Sequence, residues 1–148
     1  MRLTSIPLKL AGIAISVALL GGAPAFAETV KLSASLDGAQ QSPPVTTDAT
    51  GSADLSYDTD SRTLEWTIEY SGLSGAPGAG HFHGPADPGE NAGVAVPLGD
   101  NLASPITGQA TLTEEQAAAL LDGKLYLNLH TAANPGGEIR GQVTKAGM

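Results

Sequence analysis

The run Leu64-Glu65-Trp66-Thr67-Ile68-Glu69-Tyr70 decides the fold class. Apolar side chains at 64, 66, 68 and 70 alternate with polar ones at 65, 67 and 69. Successive side chains of a strand point to opposite faces, so this run predicts a strand with one buried and one wetted face. Working outward, the same period of two recurs at Val30, Leu32, Ala34 and Leu36, and at Ala53, Leu55 and Tyr57 within a strand expected over 49–57. Asp58-Thr59-Asp60-Ser61 then reads as a hairpin turn. Its paired acids fall short of the six to eight oxygens that calcium takes. Further strands are expected over 79–83, 93–98, 106–112, 124–131 and 138–144, with long loops at 37–47 and 84–91. Thr113 and Gln116 have the spacing of a capping box, which opens one short helix through Leu121, and Gly123 stops it. About eight short strands with one brief helix predict an all-β chain, an antiparallel Greek-key β-sandwich or flattened barrel.

Composition agrees with that reading and removes several functions. The chain has 148 residues, 19 Gly and 10 Pro, a load suited to many tight turns. A hydrophobic fraction of 41% supplies the core of one domain. The net charge of −8 argues against nucleic-acid binding, which needs Lys and Arg to replace phosphate counterions. The absence of cysteine excludes disulfides, iron–sulfur sites, cysteine zinc sites and thiol nucleophiles.

The first 27 residues read as an address. Arg2 and Lys9 precede an apolar run over Leu10–Leu20, and Gly21-Gly22-Ala23-Pro24 ends it. Ala25-Phe26-Ala27 places small residues at the two positions a signal peptidase reads, which completes the pattern of a secretory signal peptide. The run is shorter than the roughly 20 residues of a membrane span. Residues 28–148 are then the exported domain, periplasmic or extracellular, with no membrane span after cleavage. All 15 acids and five of the seven bases lie in it, so its net charge is −10.

The three histidines share one expected facing. His81 and His83 flank Phe82, so with Phe82 in the core both imidazoles point outward. In the strand over 124–131, Leu125, Leu127 and Leu129 form the buried stripe, which leaves Tyr126, Asn128 and His130 on the opposite face. If the two strands are neighbours, three imidazoles converge. Imidazole suits copper, zinc, iron and nickel, and its neutral form carries the lone pair a metal needs. The competing reading is that these are ordinary exposed histidines, with His130 bracing the Gly-rich loop after it. Glu138 and Arg140 also face outward by alternation. Glu138, Arg140 and Asn128 are candidates for orienting a ligand imidazole, against an exposed Glu138–Arg140 ion pair as the plainer alternative.

Two long motifs carry a family resemblance. His81-Phe82-His83-Gly84-Pro85-Ala86 is the first, and the second runs from Leu125-Tyr126-Leu127-Asn128-Leu129-His130-Thr131 through Asn134-Pro135-Gly136-Gly137-Glu138-Ile139-Arg140-Gly141. With Pro43-Pro44-Val45, Ala49-Thr50-Gly51 and Gly123-Lys124, the chain resembles the CHRD domain, named after chordin, from about Lys31 to Val143. The resemblance implies an extracytoplasmic β domain. Growth-factor antagonism belongs to chordin and is not carried over. A weaker resemblance is to copper–zinc superoxide dismutases, Greek-key sandwiches with a His-x-His strand and a later third histidine on the outer sheet face. It implies copper at His81, His83 and His130, with Arg140 only roughly where that family keeps an anion-guiding arginine. The bridging fourth histidine, the disulfide and the long zinc loop are missing, so a second zinc site is not implied. A charge of −10 also opposes an anionic substrate. The sandwich is accordingly expected to be superoxide-dismutase-like or immunoglobulin-like.

No nucleophile elbow, phosphate loop or dinucleotide fingerprint occurs, and Gly72-Leu73-Ser74-Gly75 has the wrong spacing for the first. Two readings of different class follow. One is a non-catalytic exported module that binds an unidentified protein or surface ligand. The other is a copper-binding protein, used in copper handling or redox chemistry.

Overall fold

In a computed structural model of the chain, residues 21–23 and 26–147 are described. The expected leader over 1–27 lies outside them, except at 21–23, 26 and 27. Nine strands and one helix follow: β1 (Thr29–Asp37), β2 (Thr50–Asp58), β3 (Thr63–Ser71), β4 (Ala79–His83), β5 (Val94–Pro97), β6 (Ile106–Thr111), α1 (Glu114–Leu121), β7 (Tyr126–His130), β8 (Ile139–Gln142) and β9 (Thr144–Lys145). The expected strand over 138–144 is divided at Val143, so both β8 and β9 pair with the same edge of β1.

All pairings are antiparallel, in the order β5-β4-β7-β8-β1-β2-β3-β6. The sheet bends at the β1–β8 junction, where Asp37 lies opposite Arg140. This makes a nearly closed sandwich with β1, β2, β3 and β6 on one side and β8, β7, β4 and β5 on the other. The alternation read from sequence sets the inner face. Leu64, Trp66 and Ile68 of β3, Ala53, Leu55 and Tyr57 of β2, and Leu32, Ala34 and Leu36 of β1 are buried. From the other side come Phe82, Leu127, Leu129 and Ile139. The Trp66 and Phe82 rings meet edge to face with centroids 5.4 Å apart, which ties the two layers together.

The turn between β2 and β3 is closed by its own acid. Asp58 Oδ1 accepts from the amides of Asp60 at 2.9 Å and Ser61 at 2.8 Å, an arrangement of an ordinary Asx turn. The capping box is also formed: the Gln116 amide donates to Thr113 Oγ1 at 3.2 Å, and the Thr113 amide to Gln116 Oε1 at 3.0 Å. Gln116 Nε2 then donates to the Ala95 carbonyl at 2.8 Å, so the helix covers part of the β5 edge. No described helix is long and apolar enough to cross a membrane.

Candidate metal centre

The outer face of the β4–β7 pair carries the chemistry. Phe82 is fully buried in the core, which sends His81 and His83 the other way. β7 lies beside β4 in a register that puts His81 opposite Asn128, His83 opposite Tyr126 and His130 opposite Ala79. His130 is therefore a diagonal neighbour of His81, within reach of a side chain that long. One ring nitrogen from each of the three histidines lies within 4.8 Å of the others. The ring centroids are 5.1 Å apart for His81–His130, 5.3 Å for His81–His83 and 6.2 Å for His83–His130.

A backbone carbonyl fixes which nitrogen of His130 is available. His130 Nδ1 is 2.8 Å from the Pro135 carbonyl. A carbonyl only accepts, so Nδ1 carries the proton and the lone pair of the neutral ring is on Nε2. That Nε2 takes a hydrogen bond from His81 Nδ1 at 3.3 Å. His83 differs: its Nδ1 faces the Ala92 carbonyl at 3.0 Å and its Nε2 faces the Asn128 side-chain oxygen at 3.0 Å, so both of its ring nitrogens meet acceptors. His130 does brace the loop after it, but through the nitrogen a metal does not need. The two roles are compatible.

The charge state suits a ligand set. Burial pushes the His81 pKa below 6.5, and the neighbouring His130 and His83 push it further the same way. Burial also lowers His83, against the opposing pull of its hydrogen bonds to Ala92 and Asn128. Both rings thus hold their lone pairs to lower pH than a free imidazole. A metal takes imidazole nitrogens at about 2.0–2.1 Å, so tetrahedral donors sit about 3.3 Å apart. A bound of 4.8 Å asks the rings to close by about 1.5 Å at most, within the reach of side-chain rotation. The donor set fits a single ion.

The rest of this face departs from expectation in one respect: it is covered. Tyr126 and Asn128 point away from the core as alternation requires, yet both are buried, as is His83. The loop after β4 returns over them. Tyr126 Oη accepts from the Ala92 amide at 3.1 Å, and Asn91 Nδ2 donates to the Ser42 carbonyl at 2.9 Å, which joins this loop to the one after β1. The Tyr126 ring stacks on His83, centroids 4.9 Å apart and 5° from parallel, while Arg140 lies 3.5 Å from its centroid.

The exposed Glu138–Arg140 pair is not formed. Both side chains are 1% exposed, and each finds neutral partners. Glu138 accepts from Thr47 Oγ1 at 2.8 Å, Ser74 Oγ at 2.6 Å, Thr131 Oγ1 at 2.7 Å and the Ser74 amide at 3.0 Å. Burial alone would push its carboxyl up; the hydrogen bonds from Ser74, Thr131 and Thr47 outweigh that and hold it at about 2. None of these bonds reaches an imidazole. Glu138 instead fixes Thr131, the residue after His130. Of the three residues considered for orienting the imidazoles, Asn128 is the one in hydrogen-bond contact with a ring.

Sequence reasoning missed the Ala92 and Pro135 carbonyls, which no side-chain pattern reports. It also missed Gln41, buried within the loop after β1.

A sandwich whose outer face joins a His-x-His strand to a His-Thr strand, with the Asn-Pro-Gly-Gly-Glu turn bracing the latter, is the spatial form of the two sequence motifs. A family model, that of the CHRD domain, matches residues 32–143, a span running from β1 to the residue between β8 and β9. No curated protein and no solved structure gives a significant match. With most of its length matched, the chain belongs to the CHRD domain family.

Proposed function

We propose that this domain is an exported binding module that holds one copper ion through His81, His83 and His130. The carrying observation is the convergence of one ring nitrogen from each of the three histidines within 4.8 Å of one another. His130 Nδ1 is held by the Pro135 carbonyl, which leaves its Nε2 toward His81 at 3.3 Å. Carbonyls on the far nitrogen orient metal-bound imidazoles and raise their basicity. Three nitrogen donors favour copper over zinc by affinity order. Bound there, copper would supply a Lewis-acid or one-electron centre. His83 and His130 would ligate through Nε2, Asn128 would give up its contact with His83 Nε2, and Tyr126 would keep the His83 ring in plane by stacking.

Export to the periplasm or medium is part of the reading and rests on the leader pattern of residues 1–27. The test is metal analysis of exported, tag-free protein. One copper per chain is expected, with none retained after all three histidines are changed to Ala. Equal metal in both proteins would overturn the proposal.

A further inference from the structure

Arg140 is a buried cation set beside the three imidazoles. Its guanidinium carbon lies 3.5 Å from the centre of the Tyr126 ring, and His83 stacks on the same ring with centroids 4.9 Å apart. A guanidinium and an imidazole that both pack on one ring cannot share a face. The strand order β4-β7-β8 accordingly sets Tyr126 between His83 and Arg140. The guanidinium carbon is then within about 8 Å of the His83 ring centre, a distance over which a full charge acts strongly when water is excluded.

Among the described residues no carboxylate pairs with this cation. Nη1 donates to Asn91 Oδ1 at 3.1 Å and Nη2 to the Glu90 carbonyl at 2.6 Å. The Glu90 carboxylate turns to its own loop and accepts from the Asp87 amide at 3.4 Å. The ion pairs among the described residues are Arg62–Glu114 and Lys124–Asp87. Arg140, Tyr126 and His83 are all buried, so little water screens the charge along the stack. The donor cluster itself holds three neutral rings and no carboxylate. An ion bound there meets a fixed positive charge with no anionic ligand to offset it.

We propose that Arg140 biases the three-histidine centre toward a monovalent ion, cuprous copper over cupric. This rests on the reading that His81, His83 and His130 hold copper. Repulsion from the guanidinium grows with the charge of the ion, so it opposes a cupric ion twice as strongly as a cuprous one. At a separation of about 10 Å and an effective dielectric of about 20, the difference is about tenfold in affinity per unit of charge. The donor set points the same way. Cupric copper favours a tetragonal shell of nitrogen and oxygen, which needs a fourth donor beyond the three imidazoles. A closed-shell cuprous ion is satisfied by three. Tyr126 serves as the dry spacer that carries the field of Arg140 to the cluster without screening it.

The experiment measures the affinity of tag-free protein for copper(I) under a reductant and for copper(II) without one, each against a competing chelator, and reads the ratio of the two. Asn91 is exposed, and Asn91→Asp sets a carboxylate of the same shape against Arg140 Nη1. That variant should shift the ratio about tenfold toward copper(II). Arg140→Gln should do the same, and Arg140→Lys, which keeps the charge, should keep the ratio. Lys31→Gln removes an equal charge from the water-screened outer face of β1 and should leave the ratio unchanged. Circular dichroism checks each fold, and Asn91→Asp carries the test if Arg140→Gln does not fold. The proposal is overturned if Asn91→Asp keeps the wild-type ratio, if Lys31→Gln shifts it as far, or if Arg140→Lys shifts it like Arg140→Gln. In those cases both ions still bind wild type and the copper reading stands. Wild type that binds neither ion overturns the copper reading and this proposal with it.

Discussion

Replacing Glu138 by Gln should expose how much one buried carboxylate contributes to this fold. Glu138 is 1% exposed and accepts hydrogen bonds from three separate loops, through Thr47, Ser74 and Thr131. Its pKa stands at about 2 in the folded chain against an ordinary 4.5. A depressed folded pKa means the unfolded chain takes up the proton first as pH falls. The stabilisation is therefore complete above the unfolded value and is lost between about 4.5 and about 2. A shift of that size corresponds to about 3 kcal/mol. Gln can still accept at one atom, but it has no charge to strengthen four bonds and cannot accept at both ends. Urea unfolding of both proteins from neutral to acid pH is the assay. The gap between wild type and Glu138→Gln should be about 3 kcal/mol at neutral pH and should close as pH falls toward 2. Other acids also titrate, but they are common to both proteins and cancel in the gap. A gap that stays constant over that range would refute the role given to the charge.

Gly108 lies against the Trp66 ring, where an added Cβ would come within 2.6–2.9 Å of three indole atoms; Gly108→Ala should therefore cost about 1–3 kcal/mol by overpacking, measured by urea unfolding. Trp66→Ala should cost about 3–5 kcal/mol, and Glu65→Ala, on the wetted face of the same strand, under about 0.5 kcal/mol; equal effects would mean the register is wrong. A bulky residue at Ala27 should block removal of the leader, since the peptidase pocket admits small side chains there. Mass spectrometry of exported wild type should find Glu28 first, and full recovery of Met1 would contradict the leader reading.

Period-two alternation made most strands legible, because which side of a strand is greasy is written residue by residue. Leu64, Trp66 and Ile68 face inward as read, and the Thr113–Gln116 box opens the helix as read. What covers a strand's other face is not written locally. Tyr126 and Asn128 carry the polarity of an outer face, yet loops distant in sequence close over them. The same blindness applied to Glu138 and Arg140. Opposite charges two residues apart suggest an exposed pair, but each is buried among neutral groups brought from elsewhere: Thr47 and Ser74 to one, Glu90 and Asn91 to the other. The convergence of His81, His83 and His130 was readable in facing, and depended on β4 and β7 being neighbours, which long-range pairing alone decides.

Copper(II) titration of tag-free protein, with each single His→Ala variant and Phe82→Leu beside it, tests the metal centre most directly. Wild type should bind one ion per chain. Loss of His81, His83 or His130 should each weaken it at least about tenfold, whereas Phe82→Leu, one residue away but facing the core, should leave affinity nearly unchanged. Wild-type binding no tighter than that of a variant lacking all three histidines would contradict the account and leave them as loop-bracing residues.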